Sequence, residues 1–150
     1  MNAALCGDLD GNRFVTLLVV RVDPARRRIE YAGAGHVPGY VLGASGKLRQ
    51  ACKSDNPPLG LFPGATFSSA HPMELSDGDA IVLLTDGVPE STNLKGREFG
   101  AGRVLNYVRR HLQDSAKDLV QGIYTATRSF SGGQPQHDDI LAVVCKVVRG

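Results

Sequence analysis

Tryptophan is absent from this 150-residue chain, and aromatic residues make up only 6% of it. A hydrophobic core must therefore consist mainly of Val, Leu, Ile and Ala. The three cysteines are an odd number without CxxC spacing, which supports neither a disulfide framework nor a cysteine zinc site. No apolar run approaches the roughly 20 residues of a membrane span, and the first residues lack the basic and apolar regions of a signal peptide. We therefore expect a cytoplasmic protein without a membrane span.

An excess of charge of one sign is also lacking, because 17 basic and 15 acidic side chains leave a formal charge of +2 at pH 7. So small an excess does not predict a nucleic-acid partner, which usually requires a basic patch or stripe. The length suits one domain, and a composition of 42% hydrophobic and 21% charged residues is typical of soluble globular proteins. We expect a single domain that does not bind nucleic acid.

Several segments rich in β-branched and aliphatic residues, bounded by turn residues, are predicted strands: 13–23, 28–33, 40–42, 47–49, 66–75, 80–85 and 140–148. The first two are expected to form an antiparallel hairpin, with 13–23 buried. Within 66–75, Pro72 requires an edge position or a bulge. The run AIVLLT at 80–85 predicts a strand covered on both faces.

The hydrophobic period then changes to that of helices. Val104, Val108 and Leu112 share one helical face, and a second amphipathic pattern extends from Leu119 to about residue 130. Ser115 is the expected N-cap of this second helix. The predicted order is a series of strands, then two helices, then a closing strand. This order is typical of an α+β domain, and we expect antiparallel sheets with the helices packed on an outer face.

Carboxylates stand where two apolar strands end or begin. Asp86 directly follows AIVLLT and is followed by Gly87, which lets the chain turn away at once. Asp138 and Asp139 directly precede the strand at 140–148. Carboxylates that converge at a sheet edge can bind hard cations such as Mg²⁺ or Mn²⁺. An isolated Asp in either place could equally cap a turn, and the spacing alone leaves both interpretations open.

Five segments in order carry a resemblance to a known family: YAGAGHVPGYVL (31–42), PPLGL (57–61), LLTDGVPE (83–90), REFG (97–100) and HDDILAVV (137–144). Together they resemble the metal-dependent protein serine/threonine phosphatases of the PPM or type 2C superfamily, in its bacterial SpoIIE/RsbU-like branch. The resemblance implies an antiparallel β-sandwich flanked by helices, and covers about the later two thirds of that domain.

The resemblance also implies a site and a reaction. Asp86 and Asp138 match the family's metal ligands, and Gly87 matches the glycine after the first ligand. Asp139 and Glu90 are further candidates near the metals. The cofactors implied are Mn²⁺ or Mg²⁺, two ions in the complete domain, which activate water to hydrolyse phosphoserine or phosphothreonine. No catalytic residue separate from the metal ligands is implied. The implied substrate is a bacterial signalling phosphoprotein such as an anti-sigma-factor antagonist, with sensor or receiver domains upstream.

Other polar residues are expected to be structural. His36 resembles a strand-end residue of the family, while His137, Lys95 and Arg97 are interpreted as solvent-facing, although a role for His137 in tuning the site or contacting phosphate stays open. Asp8, with Asp10, is predicted to lie in a turn before the first strand.

The family's first metal motif, of the form GD-x-x-G-H-G, has no match in this chain. We therefore expect a partial domain that lacks its N-terminal metal motif, and an in-frame segment of that form upstream of Met1 would support this. Two alternatives stay open: a non-catalytic pseudophosphatase or regulatory binding module, and a different metal-dependent phosphoesterase. A substrate panel of phosphopeptides and nucleotides separates the second alternative from a protein phosphatase.

Overall fold

The computed structural model describes residues 1–9, 13–136 and 138–148. They form two compact units, one made of residues 1–38 and 52–75 and the other of 39–51 and the residues from 76 onward. The helices are α1 (Asn2–Asp8), α2 (Gly100–Arg110) and α3 (Ala116–Ser131). The strands are β1 (Leu17–Asp23), β2 (Arg28–Ala34), β3 (Gly39–Leu42), β4 (Leu48–Cys52), β5 (Met73–Glu74), β6 (Ala80–Leu84) and β7 (Ala142–Lys146). None of the described helices is long and apolar enough to cross a membrane.

The first unit contains a three-stranded antiparallel sheet in the order β1-β2-β5. The predicted hairpin is confirmed, with a register from Leu17 opposite Ala34 to Asp23 opposite Arg28. At its turn the Asp23 carboxylate accepts hydrogen bonds from the backbone N–H (2.9 Å) and the guanidinium (3.1 Å) of Arg26. These bonds lower the pKa of Asp23 and fix the turn between the strands.

Two strand predictions in this unit were wrong in part. The strand predicted at 13–23 begins only at Leu17 and is half-exposed rather than buried, with Val19 and Val22 more than 40% exposed. β1 is the first strand in the order of its sheet, and a continuous apolar run in such a strand does not require that both of its faces be buried. The strand predicted at 66–75 is reduced to the two residues of β5, because Pro72 lacks the N–H that would continue the ladder.

The turn predicted around Asp8 was also wrong, since Asp8 is the last residue of α1. This short helix is stabilised by tertiary contacts, which the local sequence pattern does not predict. The side chain of Asn2 accepts from Gly60 N (2.9 Å) and donates to Phe62 O (2.8 Å), and a Cβ on Gly60 would come within 2.8 Å of Leu9. Asp10, predicted with Asp8, lies outside the described residues.

The second unit contains a four-stranded sheet in the order β4-β3-β6-β7. β6 pairs antiparallel with β3 on one side and with β7 on the other, from Ala80 opposite Lys146 to Leu84 opposite Ala142. Four of its five residues are buried, which confirms the prediction of a covered central strand for AIVLLT. β7 begins two residues later than predicted, at the end of the sheet order.

Both predicted helices are present and pack with this sheet. Ser115 is the N-cap of α3, its hydroxyl accepting from Asp118 N at 3.1 Å, and Gly132 ends that helix in the left-handed conformation (φ 60°). A Cβ on Gly122 would overlap the hydroxyl of Tyr107, so glycine permits the close approach of α3 to α2. The buried core joins β3, β6, α2 and α3 through Tyr40, Leu42, Ala80, Val82, Leu84, Val88, Phe99, Val104, Val108, Leu112, Leu119 and Ile123.

Two buried or half-buried charges fasten the loops of this unit. Asp79 is 1% exposed, forms an ion pair with Arg49 and accepts from Ser76 N at 2.7 Å. The ammonium of Lys146 on β7 donates to the carbonyl oxygens of Leu112 (2.7 Å) and Asp114 (2.6 Å), just beyond α2. Each charge satisfies backbone groups that would otherwise be unpaired.

Candidate active site

The end of β6 is fastened to the start of β7 by Thr85. Its backbone N–H donates to Leu141 O at 3.0 Å. Its hydroxyl donates to Asp139 O at 2.6 Å and accepts from Leu141 N at 3.0 Å. This one residue therefore holds the segment that carries Asp86 against the segment that carries Asp138 and Asp139. Sequence reasoning treated Thr85 only as the end of a strand.

Gly87 makes the contact between the two segments closer still. A Cβ on Gly87 would overlap the carbonyl oxygen of Asp139 and lie 3.2 Å from the carbonyl carbon of Asp138. Gly87 is buried and has no positive φ, so the requirement for glycine here is one of space, not of backbone conformation. The glycine expected after the first aspartate is thus explained by backbone packing.

Each of the two aspartates uses one carboxylate oxygen on the next backbone N–H. Asp86 Oδ1 accepts from Gly87 N at 3.0 Å, and Asp138 Oδ1 accepts from Asp139 N at 2.7 Å. Among the described residues nothing hydrogen-bonds the other oxygen of either carboxylate. Asp138 is exposed and Asp86 half-buried, so both carboxylates have an oxygen available to a ligand.

A cleft of about 220 Å³ opens beside Gly87. Glu90 and Asp138 line it together with hydroxyl, amide and guanidinium groups from Ser91, Thr92, Arg128, Ser131 and Gln136. Glu90 is placed by a helical turn in which its N–H donates to Asp86 O at 2.9 Å. Gly87, Glu90 and Asp138 thus line one cleft. Asp86 precedes Gly87 in the chain, and the Asp139 carbonyl packs against Gly87.

The donor set suits a hard divalent cation, because carboxylate oxygens are the ligands that Mg²⁺ and Mn²⁺ prefer. Within the described ranges no three His, Cys, Asp or Glu side chains are grouped closely enough to hold a metal ion. The chemistry of the residues present therefore fits part of a metal site. Asp86 and Asp138 offer two carboxylates, and a complete site needs more ligands.

The remaining candidates lie as follows. His36 lies two residues after the end of β2, and its Nδ1 is 3.1 Å from the hydroxyl of Thr16. Lys95 and Arg97 are exposed, and their backbone N–H groups donate to the Asn93 side chain. These positions match the structural and solvent-facing interpretations, whereas His137 lies outside the described residues. Arg128, which lines the cleft, was missed because it stands within the amphipathic pattern of α3.

Protein RsbP of Bacillus subtilis, described as a phosphoserine phosphatase, is 26% identical over 140 residues, which are 93% of this chain and 32% of that protein. RsbU of the same species, with the same description, is 24% identical over 146 residues, or 97% and 43%. Protein IcfG of Synechocystis is 27% identical over 131 residues, or 87% and 20%. The chain therefore spans less than half the length of these relatives.

Solved structures show the same fold. The SiaA-PP2C domain of Pseudomonas aeruginosa matches with a TM-score of 0.76 at 23% identity, covering 87% of this chain and 51% of that one. The phosphatase domain of SpoIIE from Bacillus subtilis, presoaked with Mn, matches with a TM-score of 0.70 at 12% identity, covering 90% and 57%. The predicted α+β fold of PP2C-type domains is confirmed.

The sequence model of one family covers nearly the whole chain. The family described as Stage II sporulation protein E (SpoIIE) matches residues 1–148. The match includes both aspartate-bearing segments and the strands and helices that position them. This chain belongs to the SpoIIE family.

Proposed function

We propose that this chain forms part of a metal-dependent phosphatase domain that hydrolyses phosphoserine or phosphothreonine on a bacterial signalling protein. Membership of the SpoIIE family, the PP2C-type fold and the phosphoserine phosphatases among its relatives support the proposal. An anti-sigma-factor antagonist is the substrate type we propose, and sensor or receiver domains are the proposed companions in the full protein.

One observation carries the proposal: the joining of residues 85–87 to residues 138–141. The Thr85 hydroxyl bridges Asp139 O and Leu141 N, and Gly87 packs on the backbone of Asp138 and Asp139. The segments that carry Asp86 and Asp138, which are distant in sequence, thereby lie side by side at one edge of the sheet. Carboxylate oxygens in such a position are the ligands that Mg²⁺ and Mn²⁺ prefer.

In this proposal Asp86 and Asp138 would hold the metal, and Asp139 and Glu90 are further candidates to interact with it. A bound Mn²⁺ or Mg²⁺ supplies an activated water and offsets charge on the phosphoryl oxygens. The chain itself orients the carboxylates: backbone N–H groups of Gly87 and Asp139 each hold one oxygen and leave the other for the ion. The proposed domain is a partial one, whose remaining ligands come from a segment outside this sequence.

The test is whether Mn²⁺ raises the thermal unfolding midpoint of the chain through these aspartates. A ligand that binds only the folded state at ten times its Kd stabilises it by about 1.4 kcal/mol, or roughly 3–6 °C for a chain of this size. Asp86→Asn and Asp138→Asn should each abolish the shift. Asp8→Asn, at the exposed end of α1, is the matched control and should retain it. A shift of unchanged size in Asp86→Asn contradicts the proposed metal site.

A further inference from the structure

The cleft beside Gly87 has a mixed lining in which, among the described residues, Arg128 is the single basic side chain. Two acidic side chains, Glu90 and Asp138, share that lining. A phosphoryl group carries close to two negative charges at neutral pH, so these carboxylates alone would repel it. A group that enters this cleft as an anion needs a positive partner, and Arg128 is placed to be one.

Two of the hydroxyl groups that line the cleft, those of Ser91 and Ser131, are already engaged. Ser91 Oγ donates to Gly87 O at 2.6 Å, and Ser131 Oγ donates to Thr127 O at 3.2 Å. Arg128 is different, because its guanidinium makes one long hydrogen bond, from Nη1 to Gln134 O at 3.4 Å. In the part of the chain that the structure describes, it forms no ion pair with any carboxylate. Most of its N–H donors therefore stay available.

Other arginines of the same unit show what a structural role looks like. Arg103 donates to Glu98 O and Phe99 O and lies over the ring of Phe130, 4.6 Å from its centroid. Arg109 donates to Gly46 O and to Asn106 Oδ1, both at 2.9 Å. Each fixes a turn or a helix with its guanidinium. Arg128 makes only one long hydrogen bond of this kind, although it is half-buried and lines the cleft.

We infer that Arg128 binds the phosphoryl group of the phosphorylated side chain, an inference that rests on the proposed function of this site. A guanidinium presents its donors as a planar fork that matches two phosphoryl oxygens, whereas an ammonium is a point charge. Arg128 stands in the last turn of α3, so the helix holds the fork at the cleft that Asp138 also lines. It is thus a substrate-binding residue contributed by the helical layer.

The experiment measures binding of a synthetic peptide with one phosphoserine between uncharged residues, by calorimetry in excess Mn²⁺. The same peptide with unmodified serine, and another with glutamate in that place, are the reference probes. Arg128→Gln should weaken phosphopeptide binding about tenfold or more, the effect of losing charge-assisted hydrogen bonds. Arg128→Lys should recover part of the loss. Arg110→Gln, an equal charge change on an exposed residue of α2, should leave binding unchanged.

Three results would overturn the inference: equal binding by Arg128→Gln and the unmodified chain, no phosphopeptide binding by the unmodified chain, or equal weakening of the glutamate peptide. The last would assign Arg128 to acidic side chains in general. The Mn²⁺ shift in unfolding midpoint, measured on the same samples, does not depend on Arg128. If the unmodified chain shows no Mn²⁺ shift, the proposed metal site is refuted. If the shift is present and Arg128→Gln binds the phosphopeptide as well as the unmodified chain does, only the role of Arg128 is refuted.

Discussion

Replacing Thr85 with valine removes the hydroxyl that joins the two aspartate-bearing segments while keeping the shape of the side chain. The hydroxyl makes two good hydrogen bonds, to Asp139 O at 2.6 Å and from Leu141 N at 3.0 Å. A hydrogen bond contributes a net 0.5–1.5 kcal/mol, so the two together predict a loss of about 1–3 kcal/mol. For a chain of this size each kcal/mol lowers the unfolding midpoint by roughly 2–4 °C.

The same substitution should weaken the response to Mn²⁺. The backbone bond from Thr85 N to Leu141 O at 3.0 Å is unaffected, so β6 and β7 stay paired. The loop that carries Asp138 loses its tie to the end of β6 and becomes less well ordered. The unfolding midpoint in excess Mn²⁺ should therefore rise less in Thr85→Val than in the unmodified chain.

Urea and thermal unfolding of three variants test this reasoning. Thr85→Ser keeps the hydroxyl and should lose much less stability than Thr85→Val. Thr66→Val, made at an exposed position, controls for the change of residue type and should be nearly neutral. The reasoning is refuted if Thr85→Val and Thr66→Val unfold at the same urea concentration, or if Thr85→Val keeps the full Mn²⁺ shift.

Two further predictions concern space and protonation. Gly87→Ala forces a Cβ onto the Asp139 carbonyl, so it should destabilise the chain by about 1–3 kcal/mol and remove the Mn²⁺ shift, whereas Gly64→Ala, with open space around it, should do neither. Burial raises the pKa of the Cys52 thiol from 9.0 to about 11, so the folded state keeps a proton that the unfolded state releases. The corresponding contribution to the free energy of unfolding is complete below pH 9 and is lost between about pH 9 and 11. Urea titrations across that range should therefore show a smaller decline in the free energy of unfolding for Cys52→Ala than for the unmodified chain. The exposed Cys145→Ala should show the same decline as the unmodified chain.

Much of the fold was predictable because the signals were local. The apolar run of β6, the helical period of α2 and α3, and the cap at Ser115 each follow from residues close in sequence. The strands that end at Asp86 and begin after Asp138 were expected to pair, and the register of β6 with β7 shows that they do. Their service as metal ligands stays a prediction.

The parts that could not be predicted depend on contacts distant in sequence. α1 is a seven-residue helix held by Asn2 and Leu9 against Gly60, and nothing within it signals that partner. Thr85 is an ordinary β-branched residue until its hydroxyl meets the backbone at Asp139 and Leu141. Side-chain type and spacing specify elements, whereas these ties depend on how the elements come together.

Lys146 has a consequence for how this unit opens. Its ammonium connects the chain after α2, at Leu112 and Asp114, to the end of β7, and the start of β7 is bonded to Thr85. A fluctuation that released the end of α2 would also free one end of that strand. In native-state hydrogen exchange, the amides of β7 and of the last turn of α2 should therefore lose protection together, at one denaturant concentration. The helical layer and the aspartate-bearing edge would then open as one cooperative unit.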